Sequence, residues 1–189
     1  MADNEYWYNY YRSKYTGSCN EINNCDNRIY NLNNQRKQTV NRINQLKTDI
    51  KNTQTALDGV TAIIKSEEPL NNKLVTVTNK TSQASVNFSG MVISSDVKSK
   101  DLIDVYSAET TKTKNTLDSV LSTLKTRKNE LSTKLSNLQS DLNRANSELE
   151  NIDSNIRKTN SDLSYWKQQK TSNYYNMEDY RRKMMQDAG

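Results

Sequence analysis

Apolar side chains recur along this chain in alternating steps of three and four residues. From Leu121 the alternation runs through Leu124, Lys128, Leu131, Leu135, Leu138, Leu142, Ala145, Leu149, Ile152, Ile156, Thr159, Leu163, Trp166, Lys170, Asn173, Met177, Tyr180 and Met184. Fifteen of these nineteen positions are apolar or aromatic. A period of 3.5 holds one stripe toward a neighbouring helix, here over about 95 Å at ~1.5 Å rise per residue. The same alternation from Tyr8 gives Tyr11, Tyr15, Ser18, Ile22, Cys25, Ile29, Leu32, Arg36, Thr39, Ile43, Leu46, Ile50, Thr53, Leu57, Val60 and Ile64. Each stripe can serve as the other's partner.

The pattern predicts an all-α fold, a long antiparallel helical hairpin (coiled coil) with a kink near Pro69 and a turn near Gly90. The whole chain, 1–189, reads as a single helical domain. Arm one spans 4–66, with Asp3 or Asn4 as its N-cap. Pro69 removes a backbone donor and pushes the preceding residue away from helical geometry, so the arm is expected to stop before it. Beyond it, Leu70, Leu74, Val77, Thr81, Ala84 and Phe88 suggest a short helix over 70–86, with a Val/Thr-rich strand or loop as the competitor. A turn occupies 87–94, and Ser94-Ser95-Asp96 offers caps for arm two, 95–187, which carries Ile103, Tyr106 and Leu117 before Leu121. Two four-residue steps around Leu117 and Leu121 read as a stutter. Arg36, Lys128 and Lys170 interrupt the seam with charge and are candidates for setting register or oligomer order.

Folding the arms back brings two aromatic groups to one end: Tyr6, Trp7, Tyr8, Tyr10, Tyr11 and Tyr15 from the start, and Tyr165, Trp166, Tyr174, Tyr175 and Tyr180 from the finish. Tyr6, Trp7, Tyr10 and Tyr174 fall off the seam. Tyr and Trp suit half-wet contacts, which makes Tyr6, Trp7, Tyr10 and Trp166 a candidate partner surface, with clamping of the helix ends as the alternative use. Phe88-Ser89-Gly90 marks the predicted turn, and Tyr174-Tyr175-Asn176-Met177-Glu178-Asp179 twice sets a ring and a carboxylate four residues apart, as Tyr174 with Glu178 and Tyr175 with Asp179. That spacing puts ring and carboxylate on one helical face.

This layout resembles the WXG family of helical-hairpin proteins handled by type VII (ESX) secretion, and is most similar to the longer helical proteins that accompany LXG toxins in Firmicutes. In that family the turn carries Trp-x-Gly, matched here by Phe88 and Gly90. A Tyr-x-x-x-Asp/Glu signal follows the second helix, matched here by Tyr174, Tyr175, Glu178 and Asp179. The resemblance implies a non-enzymatic adaptor or chaperone that pairs with an LXG-toxin N-terminal domain or another WXG-like protein. It also implies that an antiparallel partner brings turn and signal together.

Composition agrees with a chain that needs only a narrow apolar seam: 33% hydrophobic residues, mean hydropathy −1.00, four Gly and one Pro. No window approaches the ~18 apolar residues of a membrane span. Met1 to Tyr15 lacks a basic leader and apolar core, so the chain is expected in the cytoplasm or exported by a leaderless route. Cys19 and Cys25 are too far apart on a helix to be bridged and read as free thiols. With no His, no paired carboxylates and no Gly-rich phosphate loop, neither catalytic residues nor a cofactor or metal is expected. The net charge of +5 comes from 27 basic and 22 acidic residues interleaved along the faces, which argues against nucleic acid. A helical protein partner or a homo-oligomer is left as the expected association. The alternative to the adaptor is a structural coiled-coil element of a larger assembly, such as a phage or cell-envelope spacer.

Overall fold

The structure, a computed structural model, describes residues 2–90 and 97–187. Two helices account for all of them, α1 (Ala2–Gly90) and α2 (Val97–Asp187), packed against each other as an all-α helical hairpin. Asp3 and Asn4 lie inside α1 rather than capping it. The candidate caps Ser94, Ser95 and Asp96 fall outside the described residues.

The seam read from the sequence is the packed face. All nineteen α2 positions from Leu121 to Met184 are buried or half-buried, as are the seventeen α1 positions from Tyr8 to Ile64 with one exception, the exposed Arg36.

The break expected at Pro69 does not occur. α1 runs through the proline to Gly90, so the separate arm ending at 66, the short helix over 70–86 and the turn beginning at 87 are corrected to one helix. Proline denies the Lys65 carbonyl its usual donor and costs about 3 kcal/mol in a helix interior. A helix already nucleated and packed on both sides of the residue absorbs that cost. The seam also crosses Pro69 in unbroken register, through Glu67, Asn71, Leu74, Thr78 and Thr81, all half-buried. Leu70 and Val77, expected on it, stand 53% and 46% exposed. α2 mirrors this with Ile103, Ser107, Thr110, Lys114 and Leu117 leading in strict alternation to Leu121, so no stutter is present and Tyr106 lies outside the seam. In both helices polar residues share the true register with Leu74, Ile103 and Leu117, while Leu70, Val77 and Tyr106 lie off it.

The chain divides into two compact units, residues 1–46 with 141–189 and residues 47–140, each holding a length of both helices. In the first, Ser18, Cys25, Thr39, Ile43, Ala145, Ile152 and Thr159 are buried. The buried hydroxyls bond back into their own helix: Ser18 donates to the Lys14 carbonyl at 2.9 Å and Thr159 to that of Asn155 at 2.8 Å. Arg36 with Asp153 (2.7 Å) and Arg42 with Glu148 (3.6 Å) cross between the helices on its surface. In the second unit the buried residues are Thr53, Ile64, Leu121 and Leu131. Its antiparallel level is set by Lys125 with Glu68 (3.1 Å), the Asn71 amide donating to Asp118 (2.9 Å) and Ser82 with Ser107 (3.4 Å).

Candidate functional site

The aromatic end of the first unit is the richest cluster of side chains among the described residues. Antiparallel pairing brings the N-terminal turns of α1 beside the last turns of α2, where the Asn4 amide donates to Asp187 at 2.7 Å. Tyr180 stacks on Tyr11 (ring centroids 5.8 Å) and on Trp7 (6.2 Å) across the two helices. Tyr6 and Tyr10 each meet Trp7 edge-on, and Lys183 lies 4.6 Å over the Tyr180 ring. Lower down, Tyr15 packs against Tyr174 at 5.9 Å, and Lys170 sits over Tyr15.

The four residues read as a partner surface therefore divide. Trp7 and Trp166 are half-buried, Trp7 within the stack that ties the helix ends together and Trp166 against Tyr165. Tyr6 is 61% exposed and Tyr10 40% exposed, with the Lys14 ammonium 5.5 Å over the Tyr10 ring. Beside Tyr10 a hollow of about 510 Å³ is lined by Tyr11, Lys14, Gly17, Trp166 and Asn173. A second, about 480 Å³, is lined by Tyr15, Lys167, Lys170, Tyr174 and Tyr175. Asn173 and Ser18 meet below, the Asn173 amide donating to a hydroxyl that itself donates to Lys14. Nothing in the heptad pattern singled out this polar link, since both residues occupy seam positions usually filled by apolar side chains.

The two ring-and-carboxylate pairs near the C-terminus also separate. Tyr174 packs on Tyr15 on one side yet is 45% exposed, and Glu178 is half-buried and held by Arg181 at 2.9 Å. Tyr175 is 67% exposed, and Asp179, one turn later, is exposed on the same outer face. Lys183 salt-bridges Asp179 at 2.8 Å, and this bond raises the lysine's pKa above its ordinary value. The face thus offers a phenol ring, a carboxylate and a paired ammonium in successive turns. Gly90 is the last residue of α1, and the Phe88 side chain with residues 91–96 lies outside the described residues.

Both cysteines are free thiols; Cys25 is buried, and desolvation, with Asp162 adding to it, raises its pKa. Among the described residues no group of His, Cys, Asp or Glu could hold a metal ion, and no helix is long and apolar enough to cross a membrane. No family model, no curated protein and no solved structure matches the chain.

Proposed function

We propose that the chain is a non-enzymatic helical adaptor of type VII secretion, which pairs with a WXG-like protein or the helical N-terminal domain of an LXG toxin and presents Tyr175 with Asp179 to the export machinery. The observation that carries the reading is the division between the two pairs. Tyr174, 45% exposed, packs on Tyr15 and Glu178 is half-buried; Tyr175, 67% exposed, and Asp179, exposed and paired with Lys183, stand further outward with ring and carboxylate one turn apart. A helical face with that spacing is readable by a receptor groove without unfolding the hairpin. The exposed Tyr6 and the hollow lined by Tyr10 suit a partner helix that inserts an apolar residue next to Trp166.

Co-expression with helical N-terminal domains of LXG toxins tests the pairing. Co-purification, a shift in Trp7 and Trp166 fluorescence and a raised melting temperature are expected, and Tyr10→Ala weakens all three. A folded chain indifferent to every such domain overturns the adaptor.

The unbroken seam favours a second reading, a structural coiled-coil spacer, in which Tyr175 and Asp179 are ordinary surface residues. Export that survives their substitution points to it.

A further inference from the structure

In the second unit one flank of the hairpin carries exposed apolar residues on both helices, interrupted on α2 by Thr113 and bounded there by Arg127. α1 contributes Ile63, Leu70 and Val77, seven residues apart and 47%, 53% and 46% exposed; α2 contributes Val120 and Tyr106, 47% and 64% exposed. In a heptad these occupy the position preceding the seam, and antiparallel pairing puts that position of both helices on one side. The Asn71–Asp118 and Ser82–Ser107 bonds fix the levels, with Leu70 beside Val120 and Ala84 beside Tyr106. The seam between them is mixed there, with Asn71, Thr78, Ser107 and Thr110 half-buried beside Leu74 and Leu117. Apolar residues beside a mixed seam are the pattern of a helix with more than one neighbour. In the first unit the equivalent position holds Arg28, Arg42, Glu148 and Asp162, so the apolar flank is confined to the second.

We propose that this flank is a self-association surface, on which two copies of the chain pack side by side in the same direction, α1 of each on α2 of the other. Two observations select a second copy. The flank is self-complementary, because a two-fold axis along the helices lays Leu70 of one copy on Val120 of the other and Ala84 on Tyr106, with Val77 level with Thr113 between them. Its rims also carry opposite charge, Lys73 and Lys80 on α1 and Glu109 on α2. The Ser82–Ser107 bond puts Lys80 and Glu109 at one level, and neither forms an ion pair among the described residues. Packed α1 on α2, each lysine rim meets a glutamate rim; packed α1 on α1, lysine meets lysine. From Ile63 to Ala84 the flank is about 30 Å long and two helices wide, so the pair buries on the order of 1,200 Å², the lower end of stable interfaces.

Sedimentation equilibrium of the full chain tests this. A reversible dimer with Kd on the order of 10 μM is expected. Leu70→Glu with Val120→Glu should weaken it more than tenfold, with helix content by circular dichroism unchanged; Leu70→Gln with Val120→Gln repeats the test without added charge. Lys80→Glu alone should weaken it roughly threefold to tenfold, and Lys80→Glu with Glu109→Lys should restore it. A monomer at all concentrations, or a dimer indifferent to the Leu70 and Val120 substitutions, overturns the proposal. A charge reversal that fails to restore the dimer overturns the α1-on-α2 arrangement. None of these outcomes depends on export or on a toxin domain, so the adaptor reading stands or falls separately.

Discussion

Arg36 occupies a seam position yet leaves the seam, its Nε donating to Asp153 Oδ1 of the facing helix at 2.7 Å. Of the seventeen α1 positions from Tyr8 to Ile64 it is the exposed one. Lys128 and Lys170, also charged, stay half-buried, and Lys170 covers the Tyr15 ring. Long side chains manage this by laying apolar stems along the seam while the charge reaches out.

Arg36→Leu should therefore fill the seam and raise stability by about 1 kcal/mol, since the solvent-screened pair it removes is worth little. Arg36→Asp, which sets like charges together, should lower it. Thermal unfolding of the three chains reads the order directly.

The register through Pro69 makes a sharper prediction. Leu74 is half-buried in the seam and Leu70 is off it. Leu74→Ala should cost about 1–2 kcal/mol in urea unfolding, while Leu70→Ala at low protein concentration should stay within about 0.5 kcal/mol of wild type. Equal costs would mean that the helix shifts its face at the proline.

Sequence reading found the hairpin because the heptad signal is strong wherever seam positions are apolar, from Tyr8 to Ile64 and from Leu121 to Met184. It failed between them for one reason. There the seam residues include Asn71, Thr78, Ser107, Thr110 and Lys114, while Leu70, Val77 and Tyr106 stand off it, and hydrophobicity pointed to the wrong face. Local preference at Pro69 ends a helix, whereas the continuity of α1 through it depends on packing. At the candidate site, the spacing of Tyr175 and Asp179 was legible. The packing of Tyr174 on Tyr15 was not, because it depends on the facing helix. The role of Trp7 as a clamp on Tyr180 likewise needed the facing helix.

Acid should loosen the second unit. Asp118 accepts hydrogen bonds from Lys114 at 2.5 Å and Asn71 at 2.9 Å, and these, the lysine first, hold its carboxyl below its ordinary pKa of 3.8. A lowered folded value means that stability from the ionised group is present above the unfolded pKa and is lost as pH falls through the folded one. Melting temperatures of wild type and Asp118→Asn should differ at neutral pH and converge toward pH ~2.

Asn71 also carries a buried carbonyl oxygen, Oδ1, with no hydrogen-bond partner among the described residues. Removing an unsatisfied polar atom from a seam is favourable, so Asn71→Leu should raise the melting temperature by about 2–4 °C, even though Asp118 loses a donor. A lower melting temperature would show that the Asn71–Asp118 bond outweighs the unsatisfied oxygen.

Gly17 and Gly59 lie inside α1, and a Cβ built on either meets nothing within 4 Å. Replacing each with Ala should stabilise by about 0.5–1 kcal/mol through helix propensity and a less flexible unfolded chain. Gly17→Ala also narrows the hollow beside Tyr10, so partner binding measured on the same variant should weaken while stability rises.

The most direct test of the adaptor is export from the native host. Wild type, Tyr175→Ala and Asp179→Ala, each tagged, would be compared by intact chain in the culture supernatant at equal cellular accumulation. The account predicts wild type outside the cells and both variants retained, with export of Tyr174→Ala, which removes a ring packed on Tyr15, less severely impaired. Wild type held in the cells, or variants exported as well as wild type, would contradict it.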